Sequence, residues 1–280
     1  MAAAAVAQFA VETAPILRGE AAGEGPAVVL CHGLTATRRS VVHGSRALER
    51  AGHLVVAYDA RGHGESDPAP AGQGYGYLRQ VEDLERVVAA RLEPGERFLL
   101  AGNSMGAQTS VAYALRHPER LAALVVIGPS FTGTIDPDSL AEWDRLATAL
   151  ESGGVEAFVE RIGAQQPDRW RGSVMRFTRE RMLLHRNLGA LAEALREVPA
   201  SRPFESLAEL RSLQVPALVV ASHDEADPGH PYAAAAAYAE ALPQAQLISE
   251  EPGESPLAWQ GGRLSRHVGA FYAEALSSSL

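Results

Sequence analysis

The chain has 280 residues, enough for one large α/β domain with an insertion or for two small domains. Its formal charge is −9, from 25 Lys+Arg against 34 Asp+Glu, and no basic run interrupts that balance; an acidic surface repels phosphate backbones and argues against a nucleic-acid partner. Cys31 is the single cysteine, which excludes an intrachain disulfide and fits a reducing compartment.

In chain order, the Ala-rich start, Met1 to Ala10, lacks a basic n-region, and Gln8 and Glu12 interrupt its apolar character. It reads as the partly disordered start of a cytoplasmic chain and not as a signal peptide. No apolar run approaches the ~18–20 residues of a membrane span. Short runs rich in Val, Leu and Ile follow at Ala27–Cys31, His53–Tyr58, Arg97–Ala101, Leu121–Ile127, Val215–Ala221 and Ala245–Ser249. Their hydrophobicity is nearly continuous, as expected of strands covered on both faces. Helical patterns lie between them at about Arg38–Ala51, Tyr77–Leu92, Met105–His117, Pro231–Leu242 and Gly262–Leu276. This alternation predicts an α/β fold with a mostly parallel, doubly wound sheet. It lapses over 130–213, which holds helical patterns and the bulky Trp143, Phe158, Trp170, Met175, Phe177, Met182 and His185. That segment is expected to be a helical cap over the carboxyl edge of the sheet. Residues 1–129 and 214–280 would then form the core domain.

Three motifs carry chemistry. In Gly102-Asn103-Ser104-Met105-Gly106 a buried strand precedes the serine and a helix follows it. The two glycines allow a tight strand-to-helix turn that lifts a nucleophilic hydroxyl above the sheet. Val29-Leu30-Cys31-His32-Gly33-Leu34 ends the first strong strand. Its turn can pair the Leu34 N–H with that of Met105 as an oxyanion hole, with His32 packing the loop. Asp59-Ala60-Arg61-Gly62-His63-Gly64-Glu65-Ser66 reads as a polar structural turn, in which neither Asp59 nor His63 is a catalytic candidate.

Together these motifs resemble the α/β-hydrolase superfamily, and within it the small esterases, C–C hydrolases, haloperoxidases and related lyases, over about Val28 to Phe271. The resemblance implies an α/β-hydrolase fold with a helical cap, no metal or organic cofactor, and a small-molecule substrate. It places the catalytic acid after the strand at 215–221, at Asp224, with Asp227 as runner-up in the same loop. It places the base after the next strand, where Glu251-Pro252-Gly253-Glu254-Ser255-Pro256 carries Glu254 in the slot usually held by histidine. Three readings stay open. Glu254 and Asp224 could share a site, raising one carboxyl pKa until Glu254 serves as base for Ser104. Another histidine (His223, His230, His267 or His185) could reach the serine. Or the chain could be a lyase, cyclase or dehydratase, or a catalytically silent binding protein. The leading expectation is hydrolysis of an ester or related acyl bond by a Ser104-Glu254-Asp224 grouping.

Overall fold

The computed structural model describes residues 5–251 and 254–278. In chain order the strands are β1 (Ala7–Val11), β2 (Leu17–Ala22), β3 (Ala27–Cys31), β4 (Leu54–Tyr58), β5 (Phe98–Asn103), β6 (Leu121–Ile127), β7 (Ala217–Val220) and β8 (Ala245–Ile248). The helices are α1 (Ala47–Arg50), α2 (Tyr77–Arg91), α3 (Met105–Arg116), α4 (Pro137–Ala164), α5 (Asp168–Met182), α6 (Leu188–Ala200), α7 (Tyr232–Ala241) and α8 (Gly261–Ser277). The strands form one sheet in the order β1-β2-β4-β3-β5-β6-β7-β8. The β1–β2 and β2–β4 pairs are antiparallel and the other pairs are parallel.

Alternate residues of each central strand serve opposite cores, which is why the strand sequences are apolar throughout. Val29, Cys31, Leu100, Val126 and Val219 pack toward α2, α3 and α7. Val28, Leu30, Leu99, Val125 and Val220 pack on the other face toward α1 and α8. Helices α4, α5 and α6 are inserted between β6 and β7 and have a small core of their own around Leu146, Leu150, Phe158, Met182, Leu191 and Leu195. Gly154, at φ 67° and ψ −156°, kinks α4 so that it can bend over this core.

Two expectations are corrected. The anticipated disordered start is partly ordered: residues 1–4 lie outside the described residues, but Ala7–Val11 is an edge strand. Its register on β2 puts Phe9 against Gly19, whose absent Cβ leaves room for the ring. The expected helix over Arg38–Ala51 is broken into a single 3-10 turn at Ser40–Val42 and the short α1. His43 and Gly44 both take positive φ between them. Arg38 and Arg39 meanwhile reach carboxylates on other elements: Arg38 pairs with Asp59 at 2.6 Å and Arg39 with Glu20 on β2 at 3.4 Å. Tertiary ion pairs thus override a local helical pattern.

The sheet also fixes where a site can form. The chain runs from β3 to β4 on one side and from β5 to β6 on the other, so the connections leaving β3 and β5 diverge. A crevice at the carboxyl ends of such strands is where α/β sheets bind ligands. The loops that open it here begin at His32 and Ser104.

Candidate active site

Ser104 sits between β5 and α3 with φ 53° and ψ −115°, a backbone conformation that L-residues rarely adopt. Close packing holds it there. A Cβ on Gly102 would collide with the Gly106 carbonyl, and one on Gly106 would collide with the Cys31 carbonyl. Both positions therefore require glycine. The Ser104 amide donates to Ile127 O at 3.0 Å, which ties the turn to the end of β6.

The turn after β3 lies directly beside it. A Cβ on Gly33 would stand 3.3 Å from Ser104 Cβ and 3.1 Å from Asn103 Oδ1. His32 is buried and structural: its Nε2 accepts the Ala60 amide at 2.9 Å, so its Nδ1–H donates to Gly33 O at 2.8 Å. Burial pushes its pKa below the ordinary value, in keeping with that neutral tautomer. Thr35, at φ 68°, completes the turn and leaves the Leu34 amide without an acceptor among the described residues. Met105 is the first residue of α3, so its N–H has no partner in the helix. His185, between α5 and α6, bolts the inserted helices to this region. Its Nδ1 accepts the Gly64 amide at 3.0 Å and its Nε2–H donates to Thr35 O at 3.0 Å. Asp59 accepts from the amides of Arg38 and Glu65, and Arg61 forms a buried two-pronged pair with Asp83, so this turn is built from internal bonds.

The loop after β7 supplies what reaches the serine. His230 Nε2 lies 2.7 Å from Ser104 Oγ, and Nδ1 lies 2.8 and 2.9 Å from the two oxygens of Asp227. A carboxylate only accepts, so Nδ1 carries the proton and Nε2 is free to accept from the serine hydroxyl. His230 donates its amide to Asp227 O at 3.2 Å, and Asp227 its own to Asp224 O at 3.2 Å; two stacked turns thus carry acid and imidazole together. Gly128, just past β6 with φ 51°, a conformation that favours glycine, lies against the ring: a Cβ there would be in ordinary van der Waals contact, 3.5 Å from His230 Cβ. Burial raises the Asp227 carboxyl, but the His230 hydrogen bond and the charges of His230 and Arg181 outweigh it and leave its pKa below the ordinary value.

Asp224 and Glu254 lie apart from this relay. Asp224 Oδ2 accepts the Trp259 indole N–H at 3.1 Å, and Asp224 Oδ1 caps the Ala226 amide at 2.9 Å. Glu254 is solvent-exposed and pairs with Arg263 at 2.5 Å. That hydrogen bond holds its carboxyl below the ordinary value, opposite to the shift a base for serine needs. No hydrogen bond joins it to Asp224 or Ser104 among the described residues; Pro252 and Gly253 just before it lie outside them. Glu250 was not singled out from the sequence, yet it is buried and knits the two loops: it accepts from Ser222 Oγ at 3.1 Å, the His223 amide at 2.5 Å and the Leu257 amide at 3.1 Å. His223 stacks on Tyr232 with ring centroids 4.2 Å apart. The sequence signal for the pair was Asp227-Pro228-Gly229-His230, an acid and a histidine three apart at the carboxyl end of a strand.

Among the described residues no group of three or more His, Cys, Asp or Glu could hold a metal ion, and no helix is long and apolar enough to cross a membrane. A strained serine elbow at the switch point of a mostly parallel sheet, under inserted helices, defines an α/β-hydrolase-type protein. The family described as alpha/beta hydrolase fold matches residues 26–261, and the chain belongs to that family. A proposed carbamate hydrolase, RutD, of Agrobacterium fabrum is 31% identical over 238 residues, covering 82% of this chain and 86% of that one. Its counterpart in Variovorax paradoxus is 30% identical over 208 residues, covering 72% and 75%. Among solved structures, a thermophilic esterase from Thermogutta terrifontis superimposes with a TM-score of 0.78 at 22% identity, covering 96% of this chain and 99% of that one. By family the protein is thus a hydrolase of the α/β fold; proposed carbamate hydrolases are among its relatives, and an esterase shares its fold.

Proposed function

We propose that this protein hydrolyses an ester or a related acyl bond, such as a carbamate, of a small molecule, with Ser104 as nucleophile, His230 as base and Asp227 as the acid that orients it. The observation that carries this reading is the unbroken line from Ser104 Oγ through His230 to Asp227, with contacts of 2.7 and 2.8 Å. Ser104 Oγ adds to the substrate carbonyl as its proton passes to His230 Nε2. The negative oxygen that forms is met by the Leu34 and Met105 amides, with the positive end of α3 behind them. The imidazolium, stabilised by Asp227, then gives that proton to the leaving oxygen or nitrogen as the acyl–serine forms. Water, activated by the same His230, releases the acid and restores the serine. His32 holds the turn that offers the Leu34 amide. Glu254 and Asp224 take no proton in this scheme, because their partners are Arg263 and Trp259.

A fluorophosphonate probe tests the assignment. It should label Ser104 in the native protein at neutral pH, and Ser104→Ala should abolish labelling together with hydrolysis of 4-nitrophenyl esters. Absence of labelling from pH 5 to 9 would refute an activated Ser104.

A further inference from the structure

Arg181, in the last turn of α5, differs from its neighbours. On the same helix Arg169 pairs with Glu225, Arg171 with Asp168 and Arg179 with Glu156, while Arg176 is exposed to water. The Arg181 Nε is buried and has no hydrogen-bond partner. No carboxylate oxygen among the described residues lies within 4 Å of its guanidinium, as an ion pair would require. Its one short-range contact of note is the Phe177 ring, whose centroid is 5.9 Å from Cζ. Arg181 as a whole is half-buried, but a guanidinium whose Nε is shut away from water without an acceptor gains from a partner that arrives from outside the chain.

Its surroundings belong to the candidate site. The charge of Arg181 helps to depress the Asp227 carboxyl, and it disfavours protonation of His43 and of His185. Phe177, which lies under the guanidinium, meets Trp259, and Trp259 donates to Asp224 in the loop that also carries Asp227, so the guanidinium stands where the inserted helices face that loop. Beside it Phe177, His43 and Trp259 form an aromatic wall, with centroids 5.1 Å apart for Phe177–Trp259 and 5.4 Å for His43–Trp259. Phe177 and Trp259 are each 38% exposed, so the wall opens to solvent.

We propose that Arg181 is the anchor for a carboxylate on the substrate, so that the preferred substrates are acyl compounds bearing a free carboxylate at the end of an apolar chain. The inference rests on the Ser104–His230–Asp227 site proposed above. The carboxylate accepts from the guanidinium, which makes no hydrogen bond or ion pair among the described residues, and the aromatic wall covers the methylenes next to it. Asp227 points both of its oxygens at His230 Nδ1 and forms no ion pair with Arg181, so it does not take the place of the ligand.

Mono-4-nitrophenyl adipate and its methyl ester differ by one carboxylate and form the test pair. The native protein should prefer the free acid in kcat/KM by roughly 10- to 100-fold, mostly through KM, the range of a hydrogen-bonded charge pair. Arg181→Met should bring the ratio of the two toward one, and Arg181→Lys should restore part of it. Calorimetry with 6-oxoheptanoate and heptan-2-one, ketones without an acyl bond to hydrolyse, reads binding without turnover: the keto acid should bind the native protein more tightly, and Arg181→Met should erase the difference. Equal handling of the charged and uncharged compounds by the native protein in both measurements overturns the anchor, and so does a preference that Arg181→Met leaves intact. The two proposals fail separately. Hydrolysis that survives in Ser104→Ala removes the nucleophile assignment, while the calorimetric comparison still decides on Arg181.

Discussion

Replacing His230 with alanine removes the one group within hydrogen-bond reach of Ser104 Oγ among the described residues. A positioned general base contributes roughly 10²- to 10⁴-fold, and at 1.36 kcal/mol per decade this is about 3–5 kcal/mol of transition-state stabilisation. The hydrolysis of 4-nitrophenyl butyrate should fall by that factor in kcat with little change in KM, because the ring meets the reacting hydroxyl and not the bulk of the substrate. Asp227 acts only through His230, so the double variant His230→Ala/Asp227→Ala should be no more than a few-fold slower than His230→Ala alone. Glu254→Gln provides the contrast. Its carboxylate is exposed and paired with Arg263, and the variant should stay within roughly twofold of the native rate. The assay is steady-state hydrolysis alongside the rate of fluorophosphonate labelling, with circular dichroism to check the fold. A His230→Ala protein that keeps more than a tenth of native kcat, or a Glu254→Gln protein that loses most of it, would refute the relay and return the base to the loop after β8.

Gly106→Ala should destabilise by ~3 kcal/mol, at the upper end of overpacking costs, because the new methyl collides with the rigid Cys31 carbonyl; a thermal midpoint within about 2 °C of native would contradict this. Arg61→Leu leaves the Asp83 carboxylate buried with only Arg86 to answer it, and should cost about 3–5 kcal/mol in urea unfolding; a loss under 1 kcal/mol would sink that account. His185 gives a signed pH dependence. Burial, above all, lowers its pKa to about 4, against roughly 6.5 in the unfolded chain. Between those values the unfolded state holds a proton that the folded state lacks. Its contribution is therefore full above pH 6.5 and is lost as pH falls toward 4, by roughly 3 kcal/mol. His185→Gln should flatten unfolding free energy over that window, and an unchanged slope would show that the titration lies elsewhere.

The parallel core was legible because its strands are buried on both faces, and that environment writes itself into a short sequence as unbroken Val and Leu. The elbow was legible for a related reason: two glycines around a serine leave few backbones open once a buried strand precedes them and a helix follows. The edge strand β1 and its neighbour β2 carried no such mark. Glu20 on β2 is answered by Arg39 and Arg46 from other elements, so a polar residue sits in a strand that local pattern does not reveal. Residues 38–51 fail as a helix for the same reason, since their arginines satisfy distant carboxylates.

For the site, local sequence determined that Ser104 stands at the carboxyl edge of the sheet with a helix N-terminus behind it. The family resemblance pointed to the loops after β7 and β8 for the acid and the base, with His223, His230, His267 and His185 left open as alternative bases. Which of those loops reaches the serine was decided only in three dimensions. Asp227 and His230 are brought over Ser104 by two stacked turns, with the ring against Gly128, while Glu250, buried between the loops, holds them in register. The turns are local, but the contacts with Ser104, Gly128 and Glu250 join distant stretches of chain and leave no periodic signal. Glu254 occupies the slot that the family resemblance pointed to, but the side chain next to it in space is Arg263. A hydrogen bond to a distant residue sets what an ionisable group can do more firmly than its place in a motif.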